Sequence, residues 1–266
     1  MYKIQVYNEW DGVPKVLAEG ENEAVLAFDG EYRKNDIIEF DGLTAGKFYV
    51  VQVDAAIAPS LIYTMTDTIK YKIPFYELKE SYNPISFTGN RHYISIREAS
   101  EDEINVRRDL ALNPFDQHDV SDVYPHASAN IETRGESVFA ARNAIDGVKA
   151  CTSHGEWPYE SWGINRRADA MMRLDFGIPV DIDEIRLYTR ADFPHDSYWT
   201  AGDIEFSDGS SEHITMEKKT GVPHVFNIKR NHIMYLTLEN LIKAPDDSPF
   251  PALTEIEVYG RVSHEE

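Results

Sequence analysis

The residues best placed to do chemistry lie in one stretch, Asn143-Ala144-Ile145-Asp146-Gly147, and in the loop that follows it to Trp162. Two apolar residues run straight into an Asp-Gly corner. Glycine takes backbone conformations closed to other residues, so the chain can wrap tightly at Gly147 and turn carbonyls inward. The Asp146 carboxylate adds a charge to that nest, and hard oxygen donors of this kind suit Ca2+. Three further segments collect aromatic and polar groups on Pro-broken backbone: Trp157 to Arg167, Thr189 to Trp199 and Ala244 to Pro251. Loops of that composition make good binding surfaces. Binding a sugar takes flat apolar faces for the C–H side of the ring. It also takes planar donors for paired hydroxyls and a neutral imidazole or a carboxylate as acceptor. Trp157, Trp162, Arg166, Arg190, His195, Tyr198 and Trp199 supply those types and are the candidate sugar contacts.

The elements that must position these loops read as β throughout. Tyr2–Tyr7 alternates, Phe48–Val53 is β-branched and aromatic, and Leu61–Met65, Ile69–Ile73 and Arg91–Ile96 continue the pattern. Turn signals at Asp11-Gly12, Asp29-Gly30, Asp41-Gly42 and Thr88-Gly89-Asn90 separate them. Many short strands with regular breaks predict a sandwich or barrel. Ser100-Glu101-Asp102-Glu103 is a capping box, which predicts a short helix over 101–112, closed by Asn113-Pro114. The polar segment from Phe115 to Pro125 reads as a linker whose aromatic ends pack. At 266 residues the chain divides into an N-terminal β-sandwich (1–98), helix and linker (99–123) and a second β-domain (124–262).

Five motifs in the second half occur in a telling order: 143–147, Met172–Gly177, Val180–Tyr188, Ile204–Gly209 and Leu253–Gly260. Together they resemble the discoidin, or coagulation-factor 5/8 type C, domains, whose pattern the galactose-binding-like carbohydrate modules share. The resemblance covers about half the chain. It implies a jelly-roll β-sandwich with ligands held by loops at one end. It also implies a structural Ca2+ held by the Asn143 and Val148 carbonyls and the Asp146 and Glu255 carboxylates. This chain departs from the pattern there, with Val148 after the Asp-Gly and Cys151 where a threonine is usual. The expected fold class is therefore all-β, two β-sandwich domains joined by a short helix. The expected function is non-catalytic carbohydrate binding.

Composition bounds the alternatives. The net charge of −20 leaves no basic surface to neutralise phosphates, so no nucleic-acid partner is expected, and no anionic membrane. No apolar run approaches the ~20 residues of a membrane span, and Met1–Val6 does not resemble a signal peptide; a cytoplasmic location is expected, with a processed origin equally compatible. Cys151 is the single cysteine, so no intrachain disulfide can form. Two alternatives stay open: a carbohydrate-active enzyme with a cleft between the domains, and a protein-interaction module. Glu156, Glu160, Asp192 and Asp196 fall in the loops where catalytic carboxylates would sit, and Cys151 with His154 forms a conceivable dyad. The remaining histidines show no metal-ligand spacing.

Overall fold

The computed structural model describes residues 1–118, 120, 122–192 and 197–264. The chain runs through β1 (Tyr2–Asn8), β2 (Pro14–Gly20), β3 (Glu23–Asp29), β4 (Asp36–Asp41), β5 (Lys47–Gln52), β6 (Ser60–Thr64), β7 (Thr68–Lys72) and β8 (Arg91–Glu98). After α1 (Glu101–Asn105) come β9 (Arg108–Asp109), β10 (Val123–Tyr124), β11 (His126–Ala129) and β12 (Trp162–Gly163). The second half is completed by β13 (Met172–Thr189), β14 (Trp199–Phe206), β15 (Ser211–Thr215), β16 (His224–Phe226), β17 (Arg230–Lys243) and β18 (Ala252–Val262).

The first half is a sandwich of two antiparallel sheets, β2-β1-β4-β7 and β10-β6-β5-β8-β3. Its strands alternate as a half-buried sheet requires. In β3, Ala24, Leu26 and Phe28 point inward while Glu23, Val25, Ala27 and Asp29 face out. Ile4, Phe40, Tyr49, Ile62, Tyr71 and Ile94 close the core between the layers. The expected strands are all present, and β2, β3 and β4 are additional to them. The segment expected as linker packs here too, with Phe115 and Val123 in the first core and β10 on the edge of β6.

The helix is shorter than the expected 101–112. The capping box forms on Ser100 and Glu103, but Val106 already has extended φ/ψ. Beyond it, β9 pairs with β18, the Leu110 N–H donates to the Val258 carbonyl (2.7 Å), and the Asp109 carboxylate accepts from the Val258 N–H (2.9 Å). A sheet edge offering several hydrogen bonds outcompetes the last turns of an isolated helix, which is marginal alone.

The second half folds one connected antiparallel network over itself, in the order β12-β18-β13-β17-β14-β15 with β11 and β16 also on β13. The 18-residue β13 makes this possible by changing layers. Its start, Met172–Asp175, lies between β11 and β17, and its end, Ile182–Thr189, pairs with β18. The register breaks between Asp175 and Val180, around Gly177 at φ +72°. A Cβ on Gly177 would lie 2.2 Å from the Tyr124 ring. Gly177→Ala should therefore lower stability by about 2 kcal/mol, read as a shifted urea midpoint at unchanged slope.

The core of this sandwich holds Trp162, Leu174, Ile185, Trp199, Leu238 and Ile256 among others. A third apolar cluster joins the halves, with Phe48, Ala99 and Val262 packed by Tyr63, Ile104 and Ile178. No helix among the described residues is long and apolar enough to cross a membrane.

Candidate functional site

The Asp-Gly corner folds as anticipated by its residue types. Ala141–Ala144 forms a short 3₁₀ turn, and Gly147 takes φ +86°. The Asp146 carboxylate caps its own turn, accepting from the Val148 N–H (2.9 Å), while the Gly147 N–H donates to Glu255 Oε1 (3.0 Å). The corner is thereby fastened to β18. Both carboxyls are buried. Burial pushes the Glu255 carboxyl well up, and the nearby Asp146 charge adds to that; burial also pushes Asp146 up, against the opposing pull of the Arg142 guanidinium.

A cation fits this nest in part. Glu255 Oε2 is buried with no hydrogen-bond partner, a lone pair of the kind a divalent ion takes. Asp146 and Glu255 are brought together, but among the described residues no group of three His, Cys, Asp or Glu side chains converges on a metal position. Further donors would have to be carbonyls, as at Asn143 and Val148. The Asn143 side chain is committed elsewhere, donating to the Ser137 carbonyl (2.7 Å) and accepting from Arg142 Nη1 (2.9 Å).

The expected sugar contacts divide sharply. Trp162 and Trp199 are at most 1% exposed, and their rings lie 6.2 Å apart within the second core. The Trp162 indole N–H is spent on the Ile131 carbonyl (3.0 Å). Arg190 is also only 1% exposed. Its guanidinium donates to the Tyr159 and Ser153 carbonyls (3.3 Å for the latter) and lies 3.2 Å from Cys151 Sγ. These three are therefore corrected from ligand contacts to scaffold: the two indoles fill the sandwich, and Arg190 pins the 151–159 loop from inside. A broken, polar loop still needs apolar and charged anchors beneath it, and sequence position does not distinguish anchor from rim. His195 and Asp196 lie outside the described residues. Trp157 and Tyr198 are half-buried and stand outside the cavity wall described next.

What remains at the loop end is a concavity of about 210 Å3, lined by Thr133, Arg134, Phe139, His154, Gly163, Ile164 and Phe250 to Ala252. Arg166, exposed, lies over the Phe250 ring at 4.5 Å. Arg134 sits 5.7 Å over Phe139 and is held bidentate by Glu136 (2.6 and 2.7 Å). Desolvation lowers the His154 imidazole below its ordinary range, and the Arg190 and Arg134 charges lower it further, so it is neutral at pH 7. No acid lines this cavity among the described residues. Glu160 is buried and accepts from the Tyr159 N–H (2.8 Å), Asp192 turns to Arg190 (3.6 Å), and Glu156 stays exposed. The Cys151 thiol is pushed up by burial and donates to the Ser153 carbonyl (2.9 Å), which is no setting for a thiolate nucleophile.

Arg134, Phe139 and Phe250 are not among the expected site residues, and His154 is expected only as a partner of Cys151. His154 and Phe250 lie inside loops singled out from the sequence, so the loops were legible and the particular side chains were not. Arg134 has a left-handed backbone (φ 54°), which no feature of its sequence announces.

No curated protein matches the chain. Solved structures that resemble it include carbohydrate-binding modules. A chitosan-binding module of a chitosanase/glucanase from Paenibacillus sp. IK-5 is 19% identical, with 57% of this chain and 98% of that one covered and a TM-score of 0.39. A fucose-binding module from Streptococcus pneumoniae is 15% identical over 59% and 98% (TM-score 0.41). A family 32 module of C. perfringens NanJ, solved with galactose, is 17% identical over 50% and 91% (TM-score 0.38). The sequence pattern of the DUF7402 family matches residues 122–259. The chain thus belongs to DUF7402, a family described as a domain of unknown function.

Proposed function

We propose that the second sandwich is a discoidin-type, non-catalytic carbohydrate-binding domain that takes a neutral sugar in the loop-end concavity. The observation carrying this reading is the wall chemistry of that space. A half-buried Phe250 ring offers an apolar face, Arg134 is a planar donor in the wall, Arg166 is a second donor stacked on Phe250 beside it, and neutral His154 is an acceptor. At about 30 Å3 of liquid per water, 210 Å3 holds roughly seven waters, the scale of a single sugar ring. A panel of immobilised glycans should retain the full chain, and Phe250→Ala or Arg166→Ala should weaken retention at least about tenfold. Trp157→Ala should change it little. Absence of binding across neutral mono- and disaccharides at millimolar concentration would refute the reading.

The same proposal includes a structural Ca2+ at Asp146 and Glu255, completed by the Asn143 and Val148 carbonyls. Support comes from the paired buried carboxylates and the unpartnered Glu255 Oε2. An ion bound only by the folded state adds about 2.7 kcal/mol at a hundredfold excess over its Kd, or about 5–10 °C in melting for a chain of this size. Calcium should raise the melting temperature by that amount and chelator should reverse it, with Asp146→Asn blind to both. Identical melting with calcium and with chelator would remove the ion from the account.

A further inference from the structure

We propose that the space between the two sandwiches is a second ligand site, suited to a small organic anion: an apolar body bearing one carboxylate or sulfonate. The cavity measures about 730 Å3, within the range of small-molecule sites. The edge strand β7 and the segment after it form one wall, and the turns from Glu132 to Arg142 form the other. Ile69, Ile73, Tyr82, Val123 and Ala140 give it a buried apolar lining.

The charges around this space are unevenly committed. Glu132 accepts from the Ala141 N–H (2.8 Å) and faces His118 Nε2 (3.4 Å). Glu136 is held bidentate by Arg134, and Lys70 pairs with Glu39 (3.3 Å). Asp122 adds a further acid to the lining, and two positive groups keep a donor open: Arg142, whose charge already faces Asp146, and Lys72. Arg142 is 6% exposed, and its Nε has no hydrogen-bond partner. Lys72, exposed at the mouth, makes no ion pair among the described residues. A buried guanidinium N–H without an acceptor is costly, and an acid oxygen on a ligand would supply one.

The wall also selects against an extended peptide. Strand addition needs free N–H and C=O groups along an edge. On β7 the Gln117 carboxamide already occupies Lys72, accepting its N–H (3.1 Å) and donating to its carbonyl (2.7 Å). At the other end the Thr66 hydroxyl does the same for Thr68 (3.4 and 3.2 Å). With both ends bracketed, a compact molecule fits better than a strand.

The probe is 8-anilinonaphthalene-1-sulfonate, an apolar ring system with one anionic group, titrated into the full chain and followed by fluorescence. Saturable one-to-one binding is expected. Lys72→Glu and Leu78→Glu, both at exposed mouth positions, should each weaken it about tenfold. Lys229→Glu, the same charge change on the other sandwich, should leave it unaltered. Dansylcadaverine, of similar size but cationic, should bind at least about tenfold more weakly. Unchanged circular-dichroism melting certifies that the variants fold. Absence of saturable binding, equal affinity for the two dyes, or indifference to both mouth substitutions would overturn the proposal.

Discussion

Trp162→Ala will cost the fold about 3–5 kcal/mol, although the residue belongs to the stretch that reads most like a binding loop. The indole is fully buried, packs beside Trp199 and donates to the Ile131 carbonyl. Truncation therefore opens a large void in the second core and leaves that carbonyl without its donor. Urea unfolding should show the loss directly. Trp157→Ala, five residues upstream on the loop and only half-buried, should cost about 1 kcal/mol or less. Were Trp162→Ala to unfold like the parent chain and fail only in sugar retention, the indole would be a ligand contact after all.

Arg142→Met should be comparably damaging, at about 3–5 kcal/mol, for an electrostatic reason. Its buried guanidinium donates to Asn143 Oδ1 (2.9 Å), Ser81 Oγ (3.4 Å) and the Pro114 carbonyl (3.2 Å), and lies 4.5 Å over the Tyr82 ring. One side chain of the second sandwich thus meets three groups from outside its own turn, Ser81 and Tyr82 of the first half and Pro114 just ahead of the segment that packs on it. It also faces Asp146, whose carboxyl shares a buried neighbourhood with Glu160 and Glu255. Methionine keeps much of the volume and removes the charge, so a buried acid loses its counter-ion. The halves are also tied through Arg142, and the variant's fluorescence and circular-dichroism unfolding curves should therefore separate. Coincident curves at parental stability would show that the guanidinium neither pairs the acid nor joins the sandwiches.

Much of the fold was legible because period-two alternation and Asp-Gly corners are local signals. β1, β5, β6, β7 and β8 follow from them, and the capping box on Ser100 formed as read. The helix was overextended because its continuation was decided by β18, more than a hundred residues away, whose edge captures β9. A competition of that kind leaves no local trace. The association of the Asp146 corner with Glu255 came from the family resemblance, and the hydrogen bond from Gly147 joins them. The loop contacts were harder. Trp162, Arg190 and Trp199 have the right chemistry for a sugar, and burial alone removes them. Arg166 lies exposed against Phe250, a contact between loops 84 positions apart that spacing cannot foretell.

The central claim is that a sugar sits between the 133–139 turns, Gly163 and Phe250. It is tested most directly by backbone-amide chemical-shift mapping of the full chain during titration with neutral monosaccharides. The account predicts saturable shifts confined to amides of Thr133 to Phe139, His154, Gly163 and Phe250 to Ala252, with the Trp162 indole unmoved. Shifts clustered instead around Ile73 and Ala140, or no shifts at millimolar sugar, would contradict it.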